Sequence, residues 1–208
     1  MSPRPRKVSD DQLFEATHAV MNRVGPGELT LAAIATEAGV TPAVLVQRFG
    51  SKRNLLLALS ERFADGAGAL VAALAKQHRS PLAALRAYAD CMAGMAASPG
   101  AFARNLAYLQ IDLTDPDFRK HLVKHARATR TGLRRLLEAA SARGELVPQV
   151  KPAKLARTIE AIISGSMLTW AFYQEGSAAN WIRADVEAVL TPYLPPQTRA
   201  TQVGRSRR

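Results

Sequence analysis

Between Thr30 and Lys52 the chain reads T-L-A-A-I-A-T-E-A-G-V-T-P-A-V-L-V-Q-R-F-G-S-K. The chemistry held there is recognition rather than catalysis. Gln47 carries an amide that both donates and accepts, which suits the edge of adenine, and Arg48 carries a fork of donors that suits guanine or a phosphate. In a helix starting at Pro42, Leu45 and Phe49 lie four apart on one face. Ala43, Val44 and Gln47 then fall on the opposite face and Arg48 on the flank. Small residues on that outer face would let a helix approach the floor of the DNA major groove.

Two short helices must position these groups. In the first, Leu31, Ile34, Ala35 and Ala38 recur at helical spacing, and the Thr30 hydroxyl stands where it would accept from the first free backbone N–H groups. Gly39 supplies the permissive backbone of a tight turn, with Val40 as an inward apolar plug. Thr41 is expected to cap the second helix, and Pro42, with no N–H to lose, suits its first position. A glycine between two alanine-rich helices also occurs in ordinary helical bundles, so the motif rests on where it puts the groove-facing residues.

These residues resemble the tetracycline-repressor (TetR) family of bacterial one-component regulators. The resemblance is carried by a helix ending in Gly25, Thr30, Ile34-Ala35, Ala38-Gly39-Val40-Thr41, Leu45, Phe49 and Ser51-Lys52 followed by Leu55-Leu56. It covers about the first quarter of the chain. Two positions depart from the pattern: Val46 stands where the family usually has an aromatic touching the DNA backbone, and Pro42 where it often has a polar or basic residue. Both fit a short helix. The resemblance implies that Lys52 touches a phosphate and that Thr30 and Thr41 lie near the backbone. The DNA-binding set is therefore Thr30, Thr41, Pro42, Ala43, Val44, Gln47, Arg48 and Lys52.

With 208 residues the chain can bury a sizeable core without disulfide staples, and its single cysteine, Cys91, cannot form an internal bridge. No apolar run is long enough to span a bilayer, and the N-terminal ten residues contain no signal-peptide core. A soluble, cytoplasmic protein with no membrane partner is expected. The net charge of +11 is spread along the chain rather than gathered in the recognition segment. Residues 1–8 read as a flexible basic arm carrying Arg4, Arg6 and Lys7. This arm either reaches a neighbouring groove or phosphates or serves as an ordinary solubilising terminus. Residues 195–208, with Pro195, Pro196, Arg199, Arg205, Arg207 and Arg208, read as a disordered basic tail.

The rest is helical by pattern, giving an all-α chain with no alternating strand signal. Ser9-Asp10-Asp11-Gln12 forms a capping box for a first helix that Gly25-Pro26-Gly27 ends. Residues 9–54 make a three-helix helix-turn-helix domain. Residues 55–194 make a larger helical effector-binding and dimerisation domain. Ser51 caps a fourth helix carrying Leu55, Leu56, Leu59, Phe63 and Leu70, weakened midway by Gly66 and Gly68. Ser80-Pro81, Ser98-Pro99 and Asp115-Pro116 open the next three, each a capping residue before a proline at the first helical position. The seventh places Phe118, Leu122, Ala126, Leu133 and Leu137 inward and closes at Arg143-Gly144-Glu145. An eighth runs from Pro152 to about Gln174 and a ninth from Ser177 to near Pro192.

The last two helices are apolar around most of their circumference. Exposure of Ile163, Trp170, Ile182, Val186 and Val189 in a monomer would leave a large patch, which points to burial on several sides or against a second subunit. The resemblance implies a homodimer through these two helices. It also implies an effector pocket drawing on Leu85, Tyr88, Met92, Met95, Phe102, Leu106, Tyr108, Leu109, Met167, Trp170 and Tyr173. Their character suits an apolar or aromatic small molecule, although such stripes are equally what an ordinary core needs. Asp112 could orient a polar group of that ligand.

No cofactor, metal or catalytic site is expected. His121 and His125 lie four apart, but no thiol or carboxylate completes a metal set and arginines surround them. Cys91, in an alanine-rich helix without a local base, reads as a buried inert thiol first and as a redox sensor second. The combined expectation is a non-enzymatic regulator that binds a palindromic operator in double-stranded DNA as a dimer, most simply a repressor released by its effector. The alternatives are a helical ligand-binding protein or enzyme without operator function, and a sequence-nonspecific DNA-binding protein.

Overall fold

The computed structural model describes residues 8–196, and all of their regular structure is helical. The helices are α1 (Asp10–Arg23), α2 (Leu31–Ala38), α3 (Pro42–Phe49), α4 (Lys52–Gln77), α5 (Pro81–Ala93), α6 (Pro99–Thr114), α7 (Pro116–Ala142), α8 (Pro152–Tyr173) and α9 (Ala178–Leu190). The basic residues Arg4, Arg6, Lys7, Arg199, Arg205, Arg207 and Arg208 lie outside the described residues.

The chain forms two compact units. The first takes residues up to Ala64 together with Ala103–Leu122, and the second takes Asp65–Phe102 and Val123 onward. The recognition helices thus share a unit with most of α6 and the first turns of α7, and that unit extends well beyond segment 9–54.

In the first unit the core is Leu13, Val20, Leu29, Ile34, Ala35, Leu45 and Leu55 with Tyr108. The Ser9 side chain and Gln12 form the reciprocal cap of α1. α1 ends at Arg23, just short of the Gly25-Pro26-Gly27 stop, and α6 meets the freed carbonyls of that end. Arg104 Nε donates to the Asn22 carbonyl at 2.9 Å and Tyr108 Oη to the Val24 carbonyl at 3.2 Å. Unsatisfied carbonyls at a helix end need such partners when the end is covered. This use of Tyr108 makes it a core residue of the first unit.

In the second unit, buried Ser166 bridges α8 and α9 by donating to Asp185 at 2.6 Å. Arg86 of α5 pairs with Glu187 of α9, and Arg130 of α7 pairs with Glu160 of α8 at 2.6 Å. The Glu145 carboxylate accepts from Ser80 Oγ at 2.7 Å and from the Leu82 amide at 3.1 Å, capping α5 from a distant segment. Gly132 lets α7 approach α4, since a Cβ there would meet the Val71 side chain at 3.0 Å.

Several sequence expectations are corrected. α4 runs unbroken through Gly66 and Gly68, because a buried stripe of Leu55, Leu59, Ala64, Ala67, Val71 and Leu74 outweighs a glycine penalty of about 1 kcal/mol each. Phe63 and Leu70 are off that stripe and exposed. Thr41 occupies the N-cap position of α3 without a side-chain cap bond. Cys91 is exposed rather than buried. Ile163, Trp170, Ile182 and Val186 are covered by their own chain, each at most 5% exposed. The outward apolar residues of α8 are instead Leu168, Phe172 and Tyr173. No described helix is long and apolar enough to cross a membrane.

Candidate nucleic-acid interface

The geometry of α3 follows from its two ends and one buried side. Gly39 caps α2 with φ +67°, the left-handed conformation that a Cβ disfavours, and turns the chain into α3. Leu45 is fully buried and Phe49 packs at 5.8 Å from the Phe14 ring, so these two residues set the rotation of α3 about its axis. Thr41, Pro42, Ala43 and Gln47 are then exposed, Val44 is half-buried, and Val46 is 48% exposed on the flank. The expected outward face exists as a surface of methyl groups and one amide.

The remaining DNA-binding candidates lie at helix starts. Thr30 accepts from the Ala33 amide at 3.1 Å as N-cap of α2, which leaves its hydroxyl hydrogen for an outside acceptor. Lys52 opens α4, where Ser51 caps the Asn54 amide at 3.1 Å, and Lys52 Nζ donates to the Leu29 carbonyl at 2.8 Å. That bond joins the start of α4 to the residue beside Thr30. Helix starts carry free N–H groups and partial positive charge, which favour phosphate. Arg48 differs from the others: its Nη1 donates to the Val8 carbonyl at 2.7 Å and to the Asp10 carboxylate at 3.0 Å.

Two charged links escaped the sequence reading. Arg23 of α1 pairs with Glu37 of α2 at 2.5 Å, and Arg53 of α4 meets both Asp115 and Asp117. Pairs separated by 14 to 64 residues leave no periodic trace in a sequence.

Comparisons with known proteins bear on this arrangement. Residues 13–59 match the family described as Bacterial regulatory proteins, tetR family, and residues 81–186 match the one described as Tetracyclin repressor-like, C-terminal domain. The second match alone spans half of the chain. The chain belongs to the tetR family of bacterial transcription regulators. No curated protein matches it. Among solved structures it is similar to a tetR-family transcriptional regulator from Agrobacterium tumefaciens, at 23% identity and TM-score 0.69, covering 89% of this chain and 97% of that one. It is also similar to SmeT, the repressor of the multidrug efflux pump SmeDEF of Stenotrophomonas maltophilia, at 19% identity and TM-score 0.66, covering 91% and 92%. A third is Thermus thermophilus FadR, a tetR-family repressor solved with lauroyl-CoA, at 20% identity and TM-score 0.58, covering 90% and 96%. At these identities the likeness is one of fold.

The ligand-pocket candidates of this tetR-family chain are divided between its units. Leu106, Tyr108 and Leu109 fall in the first, and Leu85, Tyr88, Met92, Met95, Phe102, Met167, Trp170 and Tyr173 in the second. Leu85, Tyr88, Phe102, Met167 and Trp170 are buried, whereas Met95 is exposed and Tyr173, 63% exposed, stacks on Trp181 at 5.7 Å. Burial pushes the Tyr88 phenol up to about 12, so it stays neutral. Within the second unit a cleft of about 340 Å³ is lined by Trp170, Ser177, Asp90 and a wall of small residues including Ala93, Ala96 and Ala97. Trp170 alone of the candidates lines it. Alanines carry no signal of a cavity in sequence, so the wall was not foreseen. Asp112 lies in the first unit, half-buried, its carboxyl pushed up to about 6 by burial. Among the described residues no cluster of three metal-ligating side chains includes His121 or His125.

Proposed function

We propose that the chain is a ligand-released repressor that binds a two-fold symmetric operator as a homodimer. The observation that carries the DNA half is the outward face of α3. Thr41, Pro42, Ala43 and Gln47 are exposed and Val44 is half-buried beside them, while Leu45 and Phe49 lock the helix beneath. Gln47 would address a base edge, while Thr30, Thr41 and Lys52 would hold the sugar-phosphate backbone. The experiment is selection of fragments from the source genome by the full chain, followed by comparison of the selected fragment with random DNA across a salt series. Preference for one palindromic fragment supports the reading. Equal affinity for all DNA indicates a nonspecific binder, and no DNA binding indicates a ligand-binding protein or enzyme on the same fold.

A second copy is favoured by the outer face of α8. Ala161, Gly165, Leu168 and Phe172 recur at intervals of four, three and four, which aligns them on one side. Phe172 is 71% exposed, and a Cβ added at Gly165 would meet nothing within 4 Å, leaving room for a close helix approach. Doubling the subunit doubles the half-site, and because the free energies of the two contacts add, the affinity rises by far more than twofold.

The effector would be an apolar or aromatic molecule bound in the second unit, and the alanine wall beside Trp170 suits a flat apolar body. To act, it must bind the DNA-free conformation more tightly than the DNA-bound one, since only differential affinity shifts a population. Titrating lipophiles and aromatics against Trp170 fluorescence, with Trp181→Phe to isolate the signal, tests this. Operator DNA must weaken ligand binding by the same factor by which ligand weakens operator binding. Fluorescence change without that reciprocity removes the sensing role.

A further inference from the structure

Among the described residues, Arg48 on α3 and Lys52 at the start of α4 are both bonded to the chain itself. Arg48 Nη1 holds the Val8 carbonyl at 2.7 Å and Asp10 at 3.0 Å, and Lys52 Nζ holds the Leu29 carbonyl at 2.8 Å. Guanine is read in the major groove by Arg or Lys donating to O6 and N7. A guanine contact through Nη1 would have to release a carbonyl and a carboxylate that lie 40 and 38 residues away and fasten the start of α1 to α3, and those two bonds fix how the rest of the guanidinium is turned.

What α3 presents outward has a different chemistry. Ala43 and the half-buried Val44 offer methyl groups. Gln47 offers one acceptor and two donors. Methyl groups match the 5-methyl of thymine, and a glutamine amide matches adenine N6 and N7. Ala43 and Gln47 are one helical turn apart, about 6 Å along the axis, so the face spans about two base steps.

We infer that each half-site is read through thymine 5-methyl groups and one adenine, with Arg48 a positioning residue that ties α3 to α1 rather than a base reader. The inference rests on the operator-binding reading above. It excludes a guanine-centred half-site core under α3.

The test begins with the half-site selected from a random duplex library by the full chain. Thymines under α3 are then replaced one at a time by deoxyuridine, which removes only the methyl. A contacted thymine should lose affinity about fourfold per methyl. Gln47→Ala should flatten the preference at one adenine by roughly tenfold. Arg48→Met and Asp10→Asn should each weaken all sequences to a similar degree, leave the base preferences unchanged, and in combination cost no more than either alone. If Arg48→Met fails to fold, by circular dichroism melting, Asp10→Asn carries the comparison. Indifference to deoxyuridine overturns the inference, as does a guanine preference that disappears in Arg48→Met, and both leave operator binding standing. A library that yields no enriched sequence overturns the operator reading and this inference with it.

Discussion

Arg53, the second residue of α4, donates to both carboxylate oxygens of Asp115, at 3.1 and 2.9 Å, and to Asp117 at 2.8 Å. Its guanidinium lies over the Phe118 ring, 5.6 Å from the centroid. Asp115 also accepts from the Asp117 amide at 3.0 Å as the cap of α7. One arginine therefore joins the start of α4 to the α6–α7 corner, entirely within the first unit.

Arg53→Ala and Asp115→Ala should each lower the melting temperature, and the double variant should fall short of the sum, because both remove the same contact. The arginine holds the Asp115 carboxyl below the usual carboxylate range. Its contribution is thus present above the unfolded-state value near 3.8 and is lost as pH falls through the depressed folded value. The pair is solvent-facing, so 1 M salt should shrink the coupling. Full additivity in thermal melts would mean that the two residues act separately.

Burial raises the Asp112 carboxyl from 3.8 to about 6, so folding favours its neutral form. The associated stability is complete below pH 3.8 and declines as pH rises towards 6, by up to about 1.4 kcal/mol per pH unit. Asp112→Asn, neutral throughout, should therefore gain on the wild type between pH 4 and 7, by at most about 2 kcal/mol once solvent screening of a half-exposed carboxyl is allowed for. Urea titrations of both proteins across that range measure it. A difference that stays flat would show that the carboxyl is ionised at no cost.

Phe172 and Val186 separate assembly from folding. Phe172→Glu alters an outward side chain, so it should produce monomers in sedimentation at micromolar concentration and lower the melting temperature only by what assembly itself contributes, a loss that shrinks on dilution. Val186 is 1% exposed, and Val186→Glu should destabilise the chain itself by roughly 3 kcal/mol or more. A wild type that sediments as a monomer ends the dimer proposal.

Lys52→Ala should weaken binding to cognate and random DNA alike and make the slope of log affinity against log salt shallower by about 0.9, as one lost phosphate contact requires. The Leu29 carbonyl bond predicts a small stability loss as well, near 1 kcal/mol. An unchanged salt slope with that stability loss would make Lys52 purely structural.

The helix-turn-helix, the helix starts and the all-helical class were legible from local signals. Capping residues, prolines at first positions and apolar spacing act within one or two turns, and Ser9, Thr30, Ser51, Ser80 and Ser177 cap the helices they precede. The rotation of α3 was legible for the same reason, since Leu45 and Phe49 allow one inward face. Which apolar residues are outward was not: Phe63, Leu70 and Phe172 carry the same hydropathy as their buried neighbours, and only packing decides which is covered. Nor was the employment of Arg48 legible. A guanidinium beside a groove-facing residue looks like a reader until the fold brings Val8 and Asp10 within hydrogen-bond distance. Sequence by itself determined the helices, their starts and the buried side of α3, because these follow from neighbours along the chain. Tertiary structure alone decided which polar groups remain free to bind, because a hydrogen bond spent on a residue 40 positions away leaves no local mark.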